Sequence, residues 1–457
     1  MHPVNPRPMK SPQSDSPTST TRALTAGALV LAATSALYAQ DPAPGEAAVE
    51  TKPPPPAKTV GSFFKEDFVN AFKNGKLSFN ARLRYEYADQ QTLDPSNAFT
   101  IRPRLGFTTA DLYGFQGMLE YETVQIIGNE DNYNQAGLNP GGAGKTVIAD
   151  PEGSELNQAW LSYSRWDSFA RGGRQVIILD NTRFVGDVGW RQNNQTFDAL
   201  TVQSKTVKDL TLFYSYLWNI NRIFGDDHPQ GDYDSDSHLF NVAWTSLPYA
   251  KLVGYTYLLD FDGPTAAAVQ NSSTASVGGY LSGVVDIDKE KKAAVDYRAE
   301  FAWQTDYESS NVDYETEYYH LAAGGTYDIF TAGLGYEVLG SDNNQGFRTP
   351  LATLHAFNGW ADVFLNTPAA GLTDLYLYAG LTLPGNIPFK FVYHKFDADS
   401  GSGDFGQEFD FIATRSFGKN WKVLLKYAFY DSDEASPPAQ ATPSDVQKFW
   451  AQLEFNY

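Results

Sequence analysis

The stretch "LSFNARLRYEY", residues 77–87, decides the fold. Leu77, Phe79, Ala81, Leu83, Tyr85 and Tyr87 share one side of an extended chain, and Ser78, Asn80, Arg82, Arg84 and Glu86 share the other. Alternation with a period of two belongs to a strand between two environments, not to a helix. "AFTIRPRLGF" (98–107) repeats it, with Phe99, Ile101, Leu105 and Phe107 opposite Thr100, Arg102 and Arg104. So does "AVDYRAEFAW" (294–303), with Val295, Tyr297, Ala299, Phe301 and Trp303 opposite Asp296, Arg298 and Glu300. The final stretch, "VQKFWAQLEFNY" (446–457), sets Phe449, Ala451, Leu453, Phe455 and Tyr457 on one face.

From residue 77 onward about eighteen strand-like segments can be marked by alternation and β-rich composition. They lie near 77–90, 98–111, 113–127, 155–166, 169–184, 196–207, 210–224, 237–248, 251–262, 273–287, 292–307, 316–328, 330–342, 372–384, 387–399, 406–418, 421–433 and 446–457. Short turns such as "WDS" (166–168) and "GN" (385–386) alternate with longer, Gly-, Asn- and Asp-rich stretches such as 128–154, 225–236 and 343–371. Short turns at one end and long loops at the other are the pattern of an all-β, transmembrane antiparallel β-barrel, with short periplasmic turns and long extracellular loops. The apolar face then meets outer-membrane lipid, where a charge costs about 2–4 kcal/mol at the midplane, and the polar face lines the lumen. A closing pair between the last and first strands would leave no exposed edge.

The N-terminal region agrees with export. Residues 23–39, "ALTAGALVLAATSALYA", carry no charge and follow Lys10 and Arg22. A basic start, an apolar core and small residues at the end describe a signal peptide, here residues 1–39. A Pro-rich linker (40–62) and a periplasmic lead-in (63–76) precede the barrel, residues 77–457. The run Pro53–Pro56 favours an extended polyproline chain. After the leader, no stretch reaches the roughly 18 apolar residues of a membrane helix. The chain has no cysteine, so a disulfide scaffold or a cysteine-ligated metal site is excluded. No metal, cofactor or nucleic-acid partner is expected.

Arg82, Arg84, Arg102 and Arg104 fall on the inward face of neighbouring strands and offer guanidinium forks to carboxylates or phosphates. Arg174, Arg183, Arg191, Arg222 and Arg298 are candidates to extend this pore-lining set, with Lys390, Lys422 and Lys426. Glu86, Glu120, Glu122, Asp296, Glu300, Glu408 and Asp410 also count as inward, so the arginines can equally be struts of the wall. The net charge of -20 sits largely outside the strands, as in "GDDHPQGDYDSD" (225–236), which reads as a solvated loop rather than a calcium site because it lacks EF-hand spacing. Loop 343–371 differs: Phe347, Leu351, Leu354, Phe357, Trp360, Phe364 and Leu365 make it too apolar to stand in water. It is expected to fold inward as a constriction, to present aromatics to sugar rings, or to form a local core. No Ser–His arrangement suits an enzyme: Ser237 and His238 are adjacent in a strand and must face opposite ways.

"IADPEGSELNQAWL" (148–161), "DNTRFVGDVGWRQNNQTFDA" (180–199), "WNINRIFGDDHP" (218–229) and "TPLATLHAFNGWADVFLNTP" (349–368) together resemble the alginate export family of outer-membrane porins. The resemblance spans about residues 70–457. It implies an eighteen-stranded barrel in the outer membrane whose Arg/Lys-lined lumen passes an anionic saccharide, a uronate polymer such as alginate. The final aromatic similarly resembles the sorting signal read by the barrel assembly machinery.

Overall fold

The computed structural model describes residue 61 and residues 66–262, 267–433 and 444–457. The expected leader and all of the linker but residue 61 lie outside the described residues. A short helix, Phe68–Lys73, precedes the strands. These are β1 (Lys76–Gln90), β2 (Ser96–Thr108), β3 (Phe115–Ile126), β4 (Gly153–Arg165), β5 (Ser168–Gln175), β6 (Thr196–Ser204), β7 (Leu210–Asn221), β8 (Asp232–Trp244), β9 (Lys251–Leu259) and β10 (Thr274–Asp288). There follow β11 (Ala293–Asp306), β12 (Glu315–Tyr327), β13 (Phe330–Leu339), β14 (Ser341–Asp342), β15 (Gln345–Gly346), β16 (Leu372–Leu383), β17 (Ile387–Asp397), β18 (Asp404–Phe417), β19 (Trp421–Ser432) and β20 (Val446–Asn456).

All but β14 and β15 form one eighteen-stranded antiparallel sheet that closes on itself. β1 is the seam: Leu83 lies opposite Ile101 of β2 and Leu453 of β20. The last residue extends the seam, with the Tyr457 N–H donating to the Phe79 carbonyl at 2.8 Å and the Phe79 N–H donating back at 3.1 Å. Every expected segment overlaps a barrel strand, and short turns alternate with long loops. The Trp166–Asp167 turn takes positive φ at both residues (50° and 52°), the primed geometry that suits a two-residue hairpin.

One segment falls short. The strand expected over 169–184 ends at Gln175, and residues 176–195 leave the wall for the lumen. Asp180, Thr182 and Val188 there have φ of 54°, 67° and 49°, which an extended strand does not allow. Ile177, Leu179, Phe184 and Val185 are buried instead in a core inside the barrel.

The two faces are as the alternation requires. Leu119, Leu161 and Leu321 are 62%, 60% and 57% exposed on the outer face, while Arg84 and Glu86 are 1% exposed within. Trp166, Tyr249, Tyr327 and Trp421 are exposed near the short turns, where an aromatic girdle meets the lipid interface. The inner core joins segment 176–195, loop 340–371 and the wall. Phe184 packs 5.0 Å from Tyr255 and edge-on to Tyr318 (5.5 Å) and Phe347 (5.9 Å).

Candidate functional site

Three long loops enter the lumen. Segment 176–195 is tied to the wall by the two arginines of β1. Arg82 Nη1 donates to the carbonyls of Gly189 (3.0 Å), Trp190 (3.2 Å) and Arg191 (3.0 Å). Arg84 donates to the Trp190 carbonyl (2.6 Å) and to Gln452 (2.8 Å), and its guanidinium lies 4.3 Å from the Trp190 ring centre. Asp150, delivered by loop 127–152, meets Arg84 at 3.5 Å and accepts from the Gln192 N–H at 2.8 Å.

Loop 340–371 is held by β13, β16 and β18. The Trp360 N–H donates to Asp410 (3.2 Å) and the Ala361 N–H to Glu408 (2.7 Å), both on β18. Asn358 bridges Glu337 of β13 and Asp374 of β16. The two inserted segments also join each other, Arg191 pairing with Asp362 at 2.9 Å and Arg183 donating to Asn358 at 3.0 Å, and the same arginines reach the wall at Glu86 of β1 (3.1 Å) and Glu337 of β13 (2.8 Å). At the centre, Lys426 sits 3.8 Å from Trp360 and 4.3 Å from Trp190, with Trp450 closing the cage at 5.5 Å. Its ammonium donates to His355 Nε2 at 2.6 Å, and His355 Nδ1 donates to Asp362 at 2.6 Å. Burial pushes the His355 imidazole well below its ordinary pKa despite Asp362. Burial alone would raise the Asp362 carboxyl, but His355, Lys448 and Arg191 beside it hold it well below the carboxylate range. Such a neutral histidine accepts one bond and donates the other.

The loop expected to fold inward therefore does so, and it shares its core with 176–195 rather than forming one of its own. Its Trp360 is occupied by Lys426 and does not present a sugar-stacking face.

The short-turn half of the lumen is different. A cavity of about 590 Å³ opens there, lined by Arg82, Arg102, Arg104 and Lys419, with Glu120, Asp187 and Glu454 as counter-charges. Arg102 contacts Glu122 (3.7 Å) and donates to Asn80 (2.5 Å); Arg104 pairs with Glu122 and donates to Asn194 at 2.6 Å. Arg298 is paired with Glu300 at 2.7 Å. Lys390 lies 4.5 Å from the Tyr378 ring and Lys422 is exposed; among the described residues neither has a hydrogen-bond or ion-pair partner.

Arg174 is corrected. It lies opposite Ala159 and Asp198, in register with outward Leu161 and Leu200, and its ion pair with Asp198 (2.9 Å) is on the outer face. Neighbour parity decides this: Arg171, not Arg174, points inward, 4.1 Å from the Trp160 ring. Arg183, Arg191 and Arg222 are not on strands at all. Arg222 follows β7 and donates to the Pro350 carbonyl at 2.7 Å, a further tie on loop 340–371. Sequence reasoning missed Lys448, which pairs with Asp362 at 2.8 Å and shares the inward parity of Trp450 and Gln452. Asp150, His355 and Asp362 carried no strand signal. Ser237 is buried inside while His238 faces out against Tyr214 at 3.0 Å, so the pair cannot act together.

A closed eighteen-stranded barrel with an apolar outer belt and a charged, loop-constricted lumen defines an outer-membrane porin, a channel and not an enzyme. The chain belongs to the alginate export family, whose model matches residues 73–337, more than half of its length. Similar solved structures include Pseudomonas aeruginosa OpdK with vanillate, at 11% identity and a TM-score of 0.64, covering 84% of this chain and 98% of that one. Pseudomonas aeruginosa OccK9 (OpdG) aligns at 13% identity and a TM-score of 0.65, covering 85% and 100%. Acinetobacter baumannii OccAB2 aligns at 14% identity and a TM-score of 0.62, covering 85% and 99%. At these identities the likeness establishes the fold. No curated protein matches the chain.

Proposed function

We propose that this porin passes anionic saccharides, uronate oligomers or a polymer such as alginate, through a vestibule whose basic wall recognises carboxylates. The carrying observation is the cavity lined by Arg82, Arg102, Arg104 and Lys419 at the short-turn end. Lys390, Lys422 and Arg171 extend the positive field without a carboxylate partner among the described residues. A moving polymer is served by several weak sites rather than one tight one. The final strand, with Tyr457 on the seam, is proposed as the element engaged by the barrel assembly machinery.

A second reading is uptake or release of small carboxylates. The close packing of loops 176–195 and 340–371 favours it, because Arg84 and Arg191 are nearly inaccessible to water. The neighbouring OpdK structure holds vanillate, itself a small carboxylate.

Planar-bilayer recordings separate the readings. Wild-type protein should prefer anions, and oligouronates should block its current more strongly than monocarboxylates at equal charge. The triple variant Lys390→Gln, Lys419→Gln, Lys422→Gln, which removes the cavity lysine and its two neighbours in the positive field, should shift the reversal potential toward cations and weaken the block. A folded triple variant with wild-type preference and block would defeat the vestibule assignment; equal block by monocarboxylates would favour the second reading.

A further inference from the structure

The helix before β1 leaves much of its apolar side exposed. In "DFVNAFKNGK" (67–76), Ala71 is buried, yet Phe68, Val69 and Phe72 are 43%, 40% and 47% exposed. An isolated helix this short is not stable in water, so its setting must hold it. The Ala110 N–H donates to the Ala71 carbonyl at 2.9 Å, and the Tyr113 hydroxyl donates to Asp67 at 2.6 Å. Phe72 stacks on Phe107 of β2, with ring centres 6.0 Å apart and planes at 18°. Gly75 makes this approach possible, since a Cβ there would clash with the Phe107 ring.

Phe107 belongs to the outer face: its cross-strand partner Leu77 is 56% exposed and its neighbour along β2, Leu105, 51%. The helix is thus docked on the outside of the barrel, at the level of the short turns. Tyr113 and Phe115 continue the same exposed apolar surface. Lys65, Lys73 and Lys76 flank it in sequence, and long cationic side chains beside an apolar helix face suit a headgroup layer.

We propose that the segment Phe68–Lys73 is an interfacial anchor that lies in the periplasmic leaflet, its Val69 and Phe72 among acyl chains and Lys73 at the phosphates. The occupant of the exposed face is phospholipid, because the face is continuous with the lipid-facing belt of β1–β3. The anchor would fix where the expected linker leaves the membrane surface, and it acts independently of the pore.

The absence of native cysteine makes the test direct. Val69→Cys, labelled with an environment-sensitive fluorophore, is placed in vesicles holding phospholipids spin-labelled at shallow or deep acyl positions. Leu119→Cys serves as the lipid-facing reference and Gly385→Cys as the aqueous one. The expected result is blue-shifted emission, stronger quenching by the shallow label than the deep one, and protection from iodide. Phe68→Asp with Phe72→Asp should abolish the lipid quenching while the heat-modifiable barrel persists. Iodide access equal to that at the Gly385 site, without lipid quenching, would overturn the anchor. So would undiminished lipid quenching in the double aspartate variant.

Discussion

The two ends of the lumen hold similar residues in opposite circumstances. Toward the long loops, Arg84, Arg183 and Arg191 are buried against Asp150, Glu337, Glu86 and Asp362, and their charge is neutralised in place. Toward the short turns, Lys390 and Lys422 lie on the lumen face without an ion-pair partner among the described residues, and Arg82 and Arg102 line a cavity while keeping Glu454 (3.8 Å) and Glu122 (3.7 Å) beside them. The count of inward cations therefore says little about selectivity. What matters is whether each cation already has a buried partner, since a neutralised pair projects a weak field and an open charge a strong one.

Removing residues 345–370 should break this contrast most severely. The deletion uncovers Glu337, Asp374, Glu408 and Asp410, whose present partners are supplied in part by Asn358, Trp360 and Ala361. Single-channel conductance should rise, and the reversal potential should swing toward cations. Conductance equal to the wild type would mean that the loop does not bound the conducting path.

Arg191→Gln should have the next largest effect. It leaves Glu86 and Asp362 with one cation fewer in a dry site, a loss of about 3–5 kcal/mol when a buried pair is broken. The barrel strands should stay folded while the inserted segments loosen, seen as flickering current and faster proteolysis within 176–195 and 340–371. Quiet wild-type traces would show that the remaining ties are sufficient.

The smallest effect should come from pH. His355 is held neutral, with its pKa below the ordinary 6.5, so on acidification the released loop takes up a proton before the docked one does. Docking is therefore unaffected above about pH 6.5 and weakens as pH falls below that value. Asp362, whose docked pKa is also depressed, adds a second loss below its ordinary 3.8. Both signs agree: flicker should increase between pH 7.5 and 5, and His355→Gln should flatten the change down to pH 5. An increase on the alkaline side instead would contradict the neutral-histidine latch.

Sequence alternation by itself determined the strand number, the short and long ends, and the inward faces of Arg82, Arg84, Arg102 and Arg104. It could do so because lipid and water impose a period of two on every strand, and each strand can be judged alone. The apolar residues of 343–371 likewise announced a loop that could not stand in water. Arg174 shows where that logic stopped: its strand, SFARGGRQ, has too little apolar alternation to assign a face, and only the registers with β4 and β6 reveal it. The latch of Lys426, His355, Asp362 and Arg191 was likewise decided by tertiary structure alone. Its members come from a strand and two loops far apart in sequence, and no local period links residues that meet only when loops fold into a closed barrel.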